Sequence, residues 1–144
     1  MTGATTTARG SLILRYFGFT VLIALVSNLA IWGIGSAAGA DFGVQPPGTD
    51  TVMEINAVAV ALTTIVSLSL GWALAALAQR RGRPTLRTVA IIAAAFAVIS
   101  VAQPLAAEGD TAARLVLASM HLGTGAIFVA AVQRFRRRQE AGLP

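Results

Sequence analysis

Residues 88–107 read TVAIIAAAFAVISVAQPLAA, 20 residues without a charge. At about 1.5 Å per residue a helix of that length crosses a hydrocarbon layer about 30 Å thick. The stretch from Val89 to Phe96 is apolar on every side. A barrel strand would alternate apolar and polar residues; a helix facing lipid or a bundle core is hydrophobic all round. Three further charge-free runs cover 16–40, 55–79 and 115–133, the last holding only the neutral His121. The pattern predicts an all-α integral membrane four-helix bundle forming one transmembrane domain over 1–144. Its helices are expected at about 14–35, 52–78, 86–106 and 112–135, with an external loop at about 36–51.

Composition agrees. The 144 residues are 56% hydrophobic and 12% charged, with a mean hydropathy of +0.73. Soluble domains carry about 25% charged residues, so a solvated globule is excluded. There is no cysteine, which removes disulfide frameworks, thiolate metal sites and thiol catalysis.

All eleven basic residues are arginine. Arg9 and Arg15 precede the first span. Arg80, Arg81, Arg83 and Arg87 lie between the second and third, and Arg134, Arg136, Arg137 and Arg138 follow the fourth. The acids Asp41, Asp50, Glu54, Glu108 and Asp110 fall on the other side with Arg114. By the positive-inside rule both termini and the turn at 79–87 are expected in the cytoplasm. The pI of about 11.6 is therefore a topology signal, and nucleic acid is not an expected partner. Arg80, Arg81, Arg83, Arg136, Arg137 and Arg138 are expected to face anionic lipid headgroups. Ala38-Gly39-Ala40 has the look of a signal-cleavage site, but the apolar run before it exceeds the roughly 7–15 residues of a signal core, and the first span is expected to be retained.

The loop at 36–51 is rich in Gly and Pro and reads as mobile and solvated. Thr51-Val52-Met53-Glu54 fits a capping box opening the second helix, and Asp110 suits the N-cap of the fourth, with Thr85 a weaker cap for the third. Short hairpins between helices two and three and between three and four imply packing in sequence order.

Membrane helices approach through small residues and interhelical hydrogen bonds. On the second helix Ala59, Thr63, Ser67, Gly71 and Ala75 form a four-residue step, and on the fourth Ser119, Gly123, Ala126 and Ala130 share a face. Thr63, Ser67, Gly71 and Gly123 are the expected packing positions. Tyr16, Phe17 and Phe135 read as cytoplasmic interface anchors and Trp32 as an external one.

Polar residues inside spans are the functional candidates. Asn28, Asn56, Gln103 and His121 all fall in the external half and could line one pocket open to that side. Asp110, Arg114, His121 and Gly125 share a line roughly opposite the Ser119–Gly123 face, with Asp110 and Arg114 spaced as an i,i+4 ion pair. No catalytic constellation, phosphate loop or metal-ligand set is visible, so no enzyme and no cofactor is expected.

Ala78-Gln79-Arg80-Arg81, Gln103-Pro104-Leu105 and Ala118-Ser119-Met120-His121-Leu122 give the chain a resemblance to a family of small four-span membrane proteins of actinobacteria, classed as a domain of unknown function. The resemblance covers nearly the whole chain, implies a bacterial plasma membrane and brings no activity with it. The expected function is that of a non-enzymatic accessory or interaction subunit acting through a membrane-protein partner, a second copy of itself or lipid. The alternative is a small-molecule carrier or receptor using the external polar pocket.

Overall fold

The computed structural model describes residues 3–81 and 83–141. The elements run α1 (Gly3–Ala37), β1 (Gly43–Gln45), β2 (Met53–Glu54), α2 (Ala57–Gln79), α3 (Arg83–Ser100), α4 (Ala102–Ala106), β3 (Glu108–Gly109) and α5 (Thr111–Glu140). Four helical stretches are long and apolar enough to span a membrane: Ser11–Ala37, Ala57–Gln79, Thr85–Ala106 and Thr111–Glu140.

Span three is broken at Val101. Pro104 has no N–H for the Ser100 carbonyl, so the ladder stops and restarts as the short α4. Spans one and four run past their expected ends at 14 and 135, reaching Gly3 and Glu140. The arginine-rich end of α5 stays helical with Arg137 and Arg138 in its last turn, where cations complement the helix dipole, and with Arg136 3.6 Å from Glu140 one turn on. Neighbours differ from sequence order. α5 lies along both α3 and α1, α1 lies along α2, and the α2–α3 contact is lighter.

The expected mobile loop is instead an ordered cap, and a small antiparallel sheet joins the helices, with strand order β2-β1-β3. Val44 stands opposite Met53 on one side and Gly109 on the other. Because Met53 and Glu54 are committed to that ladder, the expected capping box does not form. α2 starts later, and Asn56 Oδ1 accepts the Ala59 N–H at 3.0 Å as its N-cap. Likewise α3 begins at Arg83, ahead of Thr85, with Pro84 in the first turn where a missing N–H costs nothing.

Two glycines make the cap possible. Gly39, at φ 88°, closes α1 in a Schellman motif: its N–H meets the Ser36 carbonyl and the Ala40 N–H meets the Gly35 carbonyl, both at 3.0 Å. Gly109, at φ 133°, passes so close to β1 that a Cβ there would stand 2.8 Å from the Gly43 carbonyl oxygen. Phe42 and Val44 then bury against the bundle, Phe42 with its ring 6.0 Å from that of Trp32. The Trp32 indole N–H reaches the Ile55 carbonyl at 2.9 Å, so this expected anchor serves the cap.

The core sits toward the arginine-rich end. Trp72 of α2 lies 5.9 Å from both Phe128 and Phe135 of α5 and 6.3 Å from Tyr16 of α1, ring centre to ring centre. Phe135, expected at the lipid interface, is 1% exposed. Such aromatic pairs contribute roughly 0.5–1.5 kcal/mol each beyond burial, and here they join three helices.

Candidate functional site

The small-residue step expected on α2 is out of phase by one. The buried face is Val60, Thr64, Leu68, Trp72, Ala75 and Ala78, while Thr63 and Ser67 are exposed. Thr63 gives its hydroxyl proton to its own helix, at the Ala59 carbonyl. Gly71 does mark a close approach, since a Cβ there would stand 2.9 Å from the Phe128 ring. Gly123 does not: nothing lies within 4 Å of where its Cβ would be. The tight glycine of α5 is Gly125, whose added Cβ would overlap that of Ala97 in α3.

Gly125 belongs to the polar line of α5, and Arg114, His121 and Gly125 of that line meet span three. Arg114 does not pair with Asp110; its guanidinium donates to the Leu105 carbonyl near the end of α4. His121 Nδ1 is 3.0 Å from the Ser100 hydroxyl, which is also 2.9 Å from the Ala97 carbonyl. The imidazole tautomer sets which of His121 and Ser100 donates in the bond between them. Asp110 caps α5 through the Ala112 and Ala113 amides and also accepts the Asp41 N–H at 3.2 Å. Those donors, the Asp41 amide foremost, hold its carboxyl below the usual aspartate range. The line thus serves the break in span three and ties the cap down.

Three of the four polar candidates, Asn28, Asn56 and His121, have separate hydrogen-bond partners. Asn28, 4% exposed, sends its two amide protons to Thr64 of α2 at 2.9 Å and Thr124 of α5 at 2.8 Å, joining three helices. Its carbonyl oxygen is buried with no partner among the described residues. Asn56 caps α2, His121 meets Ser100, and Gln103 is exposed on α4. Sequence reasoning missed Thr64 and Thr124 because threonines routinely bond their own helix, as Thr64 also does at the Val60 carbonyl.

Two concave features stand out, and none of these four residues lines either. An apolar pocket of about 290 Å³ lies between α1 and α5 under the cap, at Ile31, Gly35 and Val116. A cleft of about 410 Å³ opens between α3 and α5 near their arginine-rich ends. Ala90, Ala94 and Val129 form its floor, and Arg87, Gln133 and Arg136 its rim. Among the other arginines expected at headgroups, Arg80, Arg81, Arg137 and Arg138 are exposed, and the side chain of Arg83 lies outside the described residues. Among the described residues no group of three or more His, Asp or Glu could hold a metal ion.

Four long apolar helices, aromatic packing on one side and a strand-built cap on the other, suggest a multi-pass helical membrane protein. Residues 8–138 match a family of unknown function, DUF6069, and the chain belongs to it. No curated protein and no solved structure matches the chain.

Proposed function

We propose that this protein is a non-enzymatic accessory or interaction subunit of a bacterial plasma membrane, with both termini cytoplasmic, that docks another membrane-spanning chain on the outer face of α5. One observation carries the reading. Ser119, Ala126 and Ala130 are exposed, and neighbouring Gly123 has open space where a side chain would go. Small residues let helix backbones approach closely, and among the described residues no atom lies within 4 Å of where a Gly123 Cβ would stand. The occupant is a second copy of the chain or a helix of a different protein. The separate partners of Asn28, Asn56 and His121, with Gln103 exposed, favour this reading over a carrier with one polar pocket.

Affinity purification from native membranes tests it, comparing the natural chain with Ala126→Trp. A stoichiometric second chain should accompany the natural protein and be lost with the variant, while the variant keeps its thermal stability in detergent. A natural chain that purifies as a lone monomer overturns the reading.

A further inference from the structure

We propose that the cleft between α3 and α5 is a binding site for one net-anionic phospholipid, its phosphodiester held between Arg87 and Arg136 and one acyl chain lying on Ala90, Ala94 and Val129. The geometry begins at Gly125, where α5 presses against Ala97. From that contact the two helices run antiparallel toward the arginine-rich face, and the register set at Ala97 and Gly125 puts Ala94 level with Val129, Ala90 with Gln133 and Arg87 with Arg136, all six lining the cleft. Each step is one helical turn, so the sequence of lining residues is also a depth scale of about 5 Å per turn. Hydrocarbon comes first, an amide next, and two guanidiniums at the mouth. An amphiphile standing in a leaflet has the same order of chemistry along the same axis. Alanine at 90 and 94 leaves the floor open, where larger side chains would fill it.

Charge selects the headgroup. The Nε of Arg136 is buried and makes no hydrogen bond among the described residues, its one recorded partner being the Glu140 carboxylate in an ion pair at 3.6 Å. Arg87 is exposed on the facing wall, whereas Arg134, Arg137 and Arg138 are exposed on α5 but do not line the cleft. A phosphodiester accepts hydrogen bonds from guanidinium in a way suited to both walls. A zwitterionic headgroup would bring its ammonium against the same two guanidiniums. The site involves none of Ser119, Ala126 or Ala130, so it stands or falls apart from the docking face of α5.

The full chain, placed in nanodiscs of equal parts phosphatidylglycerol and phosphatidylcholine and released into native mass spectrometry, gives the test. The natural protein should retain one phosphatidylglycerol in preference to phosphatidylcholine. Arg87→Gln with Arg136→Gln should lower that retention about thirtyfold, as loss of two arginines at about 1 kcal/mol each implies. Arg134→Gln with Arg138→Gln, outside the cleft, should leave it nearly unchanged. Ala94→Leu, at an exposed floor position that tolerates bulk, should also reduce it, and excess inorganic phosphate should not displace the lipid. Equal loss from both arginine pairs, equal retention of the two lipids, indifference to Ala94→Leu, or displacement by phosphate would each overturn the site.

Discussion

Two glycines two residues apart carry opposite weights. Gly125 is the point at which α5 and α3 touch, whereas Gly123 faces open space. Leucine at 125 must push the helices apart, at a cost of about 1–3 kcal/mol or more. Leucine at 123 should stay within about 0.5 kcal/mol. Thermal unfolding of the two variants in the same detergent separates them, and a larger drop for Gly123→Leu would contradict the packing. Asn28→Val is a third case. It removes two interhelical hydrogen bonds, each worth about 0.6 kcal/mol between membrane helices, so about 1 kcal/mol should be lost. That Asn28 stands out as a polar residue inside a charge-free run was legible, though the sequence points there to the lining of a pocket and not to a tie between helices. That its partners would be Thr64 and Thr124 was not legible, since nothing in a threonine's neighbours in sequence tells which helix it faces.

At the scale of elements, the spans were legible because absence of charge is a property of composition, independent of what packs where. Helix phase was not, as α2 shows. Size alone favoured the step through Thr63 and Ser67, but the bundle turned α2 to bury Leu68 and Trp72 against Phe128 and Phe135. Lipid leaves a leucine as comfortable outside as inside, so hydrophobicity does not orient a membrane helix, whereas aromatic packing does. The cap escaped for a different reason. Strands of two and three residues are too short to show a period, and β1 pairs with segments on both sides of two spans. Asp110 locks that cap, and its lowered pKa gives a sign. The contribution is fully present above the unfolded aspartate value of about 3.9 and is lost as pH falls through the lower folded value. Amide exchange at Asp41, Ala112 and Ala113 should keep constant protection, after correction for intrinsic rates, from neutral pH down to about 4, then lose it with further acid. Asp110→Ala should show the weaker protection at every pH; a loss beginning near neutrality would point to a different group.

Over the whole molecule, four spans and the asymmetry of arginine leave orientation as the property most open to direct measurement. Positive-inside sorting acts on short segments flanking the spans, and here the segments at 80–87 and 134–138 hold eight arginines against one acid, Glu140. The cap carries the acids Asp41, Asp50, Glu54 and Glu108 and, next to the bundle, Arg114. The chain contains no cysteine, so any single cysteine introduced reports alone. Arg81→Cys and Arg138→Cys, both at exposed positions, should react with a membrane-impermeant maleimide only after the cells are opened. Thr49→Cys, exposed in the turn between β1 and β2, should react in intact cells. Replacing one arginine removes little of the bias, so the variants report the natural topology. Labelling of Arg81→Cys and Arg138→Cys from opposite sides would require an odd number of crossings between them and would break the pairing of α3 with α5 on which Gly125, His121 and the lipid cleft all depend.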